Sequence, residues 1–167
     1  MSELAGSSSH AAPPRPRPTS TGEEVKGAEV LRAAVVEDPL DVAEHAALVE
    51  QAAAGAVVTF AGVVRDHDGG RGVRGLEYSA HPTAGRVVAE VAADVAARAR
   101  GVRAIAVSHR VGPLGIGDVA LACAVAADHR REAFEACAEL VEQVKRLLPV
   151  WKHQVFADGS DEWVNST

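Results

Sequence analysis

Five basic side chains stand in segments patterned for chemistry, in a chain whose formal net charge is −6: Arg65, His129, Arg130, Lys145 and Lys152. Cations held at fixed places in an acidic chain suit the binding of an anion. Arg65 ends the apolar run VVTFAGVVR, directly after Val63 and Val64, and enters the glycine-rich stretch DHDGGRG. His129 and Arg130 fall in the first turn of an expected helix that opens His-Arg-Arg. That end of a helix carries unpaired N–H groups and partial positive charge, so cations there fit best if an anion docks. The competing reading is that Asp128 and Glu132 neutralise the turn and the arginines are solvated. Lys145 borders the apolar seam of the same helix, between Val141 and Leu148. It either snorkels to water or is partly desolvated, and desolvation lowers an ammonium pKa towards a general base or nucleophile. Lys152, in PVWKHQ, points opposite to Trp151 if the segment is a strand. The plainer alternative for Lys152 is a surface lysine.

Other constellations are weaker. The seven histidines are His10, His45, His67, His81, His109, His129 and His153; no pair has HxxxH spacing and no CxxC accompanies them. No metal site and no cofactor is therefore expected. A metal-dependent hydrolase using His109, His129 and His153 is the alternative enzyme class, and a non-catalytic binding module is the alternative outside enzymes. Otherwise, His109 is expected to structure the GPLGIGD turn. Ser108 lacks a nucleophile-elbow context. Asp66 and Asp68 could pair as carboxylates, but in a glycine-rich loop they fit turn formation better. Neither GxxxxGK[ST] nor GxGxxG between strand and helix is present. Cys123 and Cys137 lie in apolar patterns and read as buried, unreactive thiols. The acidic balance argues against a general nucleic-acid binder. No apolar run approaches the roughly 20 residues of a membrane span, and no secretory h-region opens the chain, so a cytoplasmic protein is expected.

The elements that must position these groups follow from pattern. Residues 1–27 are expected to be a disordered tail, rich in Ser, Pro and Gly. The remaining 28–167 read as one domain within a chain of 167 residues. Apolar residues make up 47% but aromatics only 4%, so Ala and Val must fill the interior. Small side chains want close backbone packing, which dimerisation would extend. Strands are expected near 30–36, 56–64, 73–80, 102–111, 119–127 and 150–156, the second and third pairing as a long hairpin. Helices are expected from an Asp38-Pro39 start to Gly55, from Pro82 to Arg100, and over 129–148. Asp128 would cap the last of these, with an apolar stripe of Phe134, Cys137, Val141, Val144 and Leu148. Short connections between neighbouring strands imply antiparallel pairs and an α+β fold.

Three ordered segments, TFAGVVRDHDGGRGVRGLEYSAHPTA, SHRVGPLGIGDVALACAVAADHRREAF and VKRLLPVWKHQ, with a late DEWV, resemble the large subunit of molybdopterin synthase. The likeness covers about Gly55 to Val164. It implies an α/β hammerhead-type fold with a mostly antiparallel sheet and a central homodimer. A small ubiquitin-like sulfur-carrier subunit would bind each end, giving a heterotetramer. The implied reaction moves sulfur from the carrier's thiocarboxylated Gly-Gly terminus to a cyclic pyranopterin monophosphate, forming a dithiolene. Residue by residue, the family's pocket arginine falls on Arg65, its His-Arg pair on His129 and Arg130, and its two pocket lysines on Lys145 and Lys152. Its binding segment after the second lysine covers His153 and Gln154, where many members carry a basic-acidic pair instead. The resemblance thus implies Lys145 and Lys152 as catalytic, and Val63, Val64, Arg65, His129, Arg130, Lys145, Lys152, His153 and Gln154 as substrate-binding.

Overall fold

A computed structural model describes residues 27–165. The expected tail lies outside the described residues, except for Gly27. In chain order the elements begin β1 (Glu29–Val36), α1 (Val42–Val49), β2 (Ala56–Val63), β3 (His67–Asp68) and β4 (Arg71–Ala80). They continue with α2 (Ala84–Arg98), β5 (Val102–Arg110), β6 (Gly112–Leu114) and β7 (Val119–Ala127). The last are α3 (Arg130–Leu147), β8 (Val150–Phe156) and β9 (Asp161–Asn165).

One sheet has the order β1-β5-β7-β2. β7 runs antiparallel to both neighbours, and β1 lies parallel to β5. Residues alternate between its faces. Ile105, Val107, Leu121, Cys123 and Val125 point to the side covered by α2 and α3, in the main core. Ala104, Ala106, Ala124 and Ala126 point to the other side, where Val49 of α1 packs. A face paved with alanine methyls lets α1 approach closely, which is how a chain poor in aromatics still closes its interior. β7 is buried along nearly all its length, as its unbroken apolar run requires.

The second sheet has the order β3-β4-β8-β9, with β6 on β4. All its pairs are antiparallel. The fold is therefore α+β with mostly antiparallel sheets, as expected. The expected hairpin between the second and third strands does not form. β2 hydrogen-bonds β7, while β4 pairs with β8. A register irregularity at Gly62/Val63 ends β2, and the chain leaves for the smaller sheet. The inward alternation of Val58 and Phe60 is satisfied by the α3-facing core, so β2 has no need of β4.

Helix starts also differ from expectation. The α1 cap is Asp41, whose Oδ1 accepts from the amides of Ala43 and Glu44 at 2.7 and 3.3 Å, and not Asp38. Asp128 does not cap α3. Its carboxylate accepts from Arg103 Nε at 2.6 Å, leaving His129 as an N-cap without a side-chain bond. Phe134 is 62% exposed, so the buried stripe of α3 is Ala133, Ala136, Cys137, Leu140, Val141 and Val144. Among the described residues, no helix is long and apolar enough to cross a membrane.

Candidate functional site

A cleft of about 190 Å³ opens where the two sheets meet, below the end of α3. Four stretches of chain build it. The first is the exit from β2: Gly62, Val63, Val64 and Arg65. Val64 is fixed there, its N–H donating to the Asp118 carbonyl at 2.9 Å and its carbonyl accepting from Gly117 at 2.9 Å. Its side chain is buried against Leu114 and Ala120. The backbone is thus pinned just before Arg65, whose side chain is 67% exposed at the rim.

The second stretch is the last turn of α3. Val144 and Leu148 seal the apolar wall, and Lys145 between them lines the cleft. Lys145 is exposed, so of the two fates open to it the snorkelling one describes its position. The third stretch is the face shared by β4 and β8. Tyr78 lies opposite Lys152 and Leu76 opposite Gln154, so strand alternation puts all four on the cleft side. Gln154 is 2% exposed and the Lys152 side chain 22%. Trp151 points the other way and is 40% exposed.

The fourth stretch is the hairpin of β3 and β4. Asp68 reaches in from it and accepts from Lys152 Nζ at 3.2 Å and Gln154 Nε2 at 2.8 Å. Arg65 stands 3.7 Å from its other oxygen. The Gln154 hydrogen bond, then the Lys152 hydrogen bond and charge, hold the Asp68 carboxyl below the usual carboxylate range.

Of the expected site residues, Val63, Val64, Arg65, Lys145, Lys152 and Gln154 come together in this cleft. His153 does not line it. Period two turns it to the opposite face, where it stacks on Trp163 at 4.4 Å and bonds Asp161 at 2.7 Å through Nε2. His129 and Arg130 lie at the far end of α3 from Lys145, both exposed. Sixteen residues of helix place them roughly 24 Å away along the axis. Within one chain they do not reach the cleft.

Two further residues of the cleft have other roles in the sequence reading. Asp68 was expected as a turn former, yet it is a partner of Lys152; its place just before Gly69-Gly70, three residues after Arg65, was the available signal. His109, which closes β5 as the pattern implies, also lines the cleft, 6% exposed, with Tyr78 edge-on at 5.0 Å. Its Nδ1 lies 2.8 Å from the Arg110 carbonyl, which can only accept, so Nδ1 carries the proton. Burial lowers its pKa to about 4, with the Lys145 charge acting in the same direction and the Arg110 hydrogen bond opposing. His109 is thus a neutral ring at neutral pH.

The thiols are sequestered: Cys123 is 0% and Cys137 4% exposed, and burial pushes both pKa values up, that of Cys137 to about 11. Neither offers a thiolate to the cleft. His109, His129 and His153 fall on separate parts of the fold. Among the described residues, no three His, Cys, Asp or Glu side chains group as a metal would require. What the cleft presents is convergent cations over an apolar wall, an arrangement suited to holding anions and stabilising developing negative charge.

The family model described as MoaE protein matches residues 35–147. A molybdopterin synthase catalytic subunit from Nostoc is 38% identical over 128 residues, spanning 76% of this chain and 78% of the relative. An X-ray crystal structure of molybdopterin synthase from Staphylococcus aureus superposes with a TM-score of 0.73 at 30% identity, covering 80% of this chain and 96% of that one. A complex of subunits 1 and 2 of molybdopterin-converting factor from Helicobacter pylori matches at TM-score 0.56 and 21% identity, over 79% and 88% of the chains, a likeness of fold alone.

Proposed function

The chain belongs to the MoaE protein family, and from that membership we propose that it is the catalytic subunit of a molybdopterin synthase, a cytoplasmic sulfurtransferase of molybdenum-cofactor biosynthesis. Its sulfur donor is the thiocarboxylated C-terminus of a small ubiquitin-like carrier subunit. Its acceptor is cyclic pyranopterin monophosphate, and the product carries a dithiolene. Two copies of the chain form the centre of a heterotetramer with two carriers.

One observation carries this reading: Lys145 from the end of α3 and Lys152 from β8 converge with Arg65 on a single cleft. Both reactants are anions, a cyclic phosphate ester and a thiocarboxylate. Once the sulfur has bonded to the pterin, water or an amine adds to the acyl carbon and charge builds on the carbonyl oxygen; that charge is discharged as the carbon–sulfur bond breaks, leaving the sulfur on the pterin and the carrier's acyl group on the nucleophile. A positioned ammonium stabilises that charge more than it stabilises the ground state. Lys152, held by β8 and only 22% exposed at its side chain, orients the thiocarboxylate. Lys145, at the open side, acts as second electrostatic partner, base or covalent relay. Arg65 at the rim takes the phosphate. Sulfur brought by a partner accounts for a site in which neither cysteine is reactive.

His129 and Arg130 enter the site of the second copy. They are exposed at one end of α3 beside the 62% exposed Phe134, and an isologous dimer would carry them to the other copy's cleft. The reconstitution that tests this reading combines the chain, thiocarboxylated carrier and pterin precursor, and detects the dithiolene product. Product formation at catalytic turnover is expected. Carrier binding without any product would identify a docking module instead.

A further inference from the structure

The cleft contains its own anion. Asp68 Oδ2 takes hydrogen bonds from Gln154 at 2.8 Å and Lys152 at 3.2 Å, while Oδ1 faces Arg65 at 3.7 Å. The two sides of this contact differ in how firmly they are held. Lys152 and Gln154 belong to β8, which is paired on both edges, and Gln154 is 2% exposed. Asp68 belongs to the two-residue strand β3, next to Gly69 and Gly70 at φ of 55° and 77°. A Cβ added at either glycine would meet nothing within 4 Å, so the tip is open to solvent space and the short β3–β4 ladder, His67 with Gly72 and Asp68 with Arg71, holds the backbone of Asp68. The donors thus sit on a strand paired along both edges, and the acceptor on a two-residue strand at the end of its sheet.

Resting on the reading of the cleft as a sulfur-transfer site, we propose that Asp68 is a specificity-determining residue. It occupies the seat of the incoming terminal carboxylate or thiocarboxylate, which must displace it to reach Lys152 and Gln154. The seat is shaped for a planar two-oxygen group, with amide and ammonium on one oxygen and a guanidinium facing the other. With Asp68 in place, Arg65, Lys145 and Lys152 keep a net surplus of positive charge, which draws an anion in. Two carboxylates in contact repel, so the incoming group and Asp68 exclude each other. A neutral terminus accepts more weakly than Asp68 and cannot displace it. Asp68 thereby makes entry selective for charged termini.

The exchange is measured by calorimetric titration of the full-length chain with a peptide ending in Gly-Gly carboxylate, with its C-terminal amide, and with inorganic phosphate. The chains are wild type, Asp68→Asn, Asp68→Ala and Asp68→Asn/Lys152→Gln, each checked for its urea midpoint. Loss of a partly exposed competing ion pair should tighten binding of the acid peptide about two- to fivefold in both single variants. The amide, kept from the seat in wild type, should gain more than the acid in both single variants, narrowing the preference between them, and the double variant should lose both gains. Unchanged or weaker binding of the acid peptide, an amide that gains no more than the acid, or a gain confined to phosphate would overturn the proposal. If the acid peptide binds none of the chains, including wild type, the anion seat itself is wrong and the functional reading falls with it.

Discussion

His109 makes stability depend on pH between the ordinary histidine range and its own lowered pKa. In the folded chain its pKa is about 4, against 6.5 for an ordinary histidine, because burial disfavours the imidazolium. The unfolded chain therefore binds a proton that the folded chain refuses. The resulting stability is fully present above pH 6.5 and is lost as the pH falls towards 4. Linkage across that interval puts the loss at about 2 kcal/mol between pH 7 and pH 5, and about 3 kcal/mol by pH 4. The carboxyls held low, Asp66, Asp68, Asp128 and Asp158, lose their contributions at still lower pH. Urea midpoints at pH 7 and pH 5, at fixed ionic strength and protein concentration, measure the term. His109→Gln keeps a polar ring-sized side chain without the titration, so its midpoint should shift much less than that of wild type. Equal shifts in the two proteins would refute the account of His109 as a buried, neutral ring.

Other outcomes follow from packing and from the proposed dimer. A Cβ at Gly55 would run into the Asp128 carbonyl oxygen. Gly55→Ala should therefore cost about 1–3 kcal/mol by urea unfolding, as overpacking does. On α3, Leu140→Ala should cost about 2–5 kcal/mol because Leu140 is 0% exposed. By contrast, Phe134→Ser should change the stability of the isolated chain by less than about 0.5 kcal/mol, since Phe134 is 62% exposed. If Arg130 serves the second copy's site, an equal mixture of Arg130→Ala and Lys152→Ala chains, allowed to exchange, should regain about a quarter of wild-type turnover. No recovery above the separate variants would place Arg130 outside the partner's site.

Local pattern carried most of the elements. Apolar runs with turn residues at their ends located β2, β5, β7 and β8, and helical spacing located α2 and α3. Pairing was less legible. Adjacent strands with a short loop suggest a hairpin, but β2 pairs with β7, far along the chain, where Val58 and Phe60 pack against the main core. Caps misled for a related reason: Asp128 stands where a cap belongs, yet the Arg103 guanidinium across the strand end competes for its carboxylate. In the site, the period-two alternation of β8 was enough to separate Lys152 and Gln154 from Trp151, and by the same rule it turns His153 away. Asp68 and His109 could not be ranked by type or spacing, since their importance comes from neighbours that only the folded chain supplies.

Single-turnover sulfur transfer in Lys152→Ala tests the central claim most directly, provided the variant keeps the wild-type urea midpoint and still binds the carrier. Removal of a positioned charge from a transition state costs about two to three orders of magnitude in rate. The account predicts a loss of that size in dithiolene formation, with carrier affinity retained. Transfer at the wild-type rate would contradict it and would put the chemistry somewhere other than this cleft.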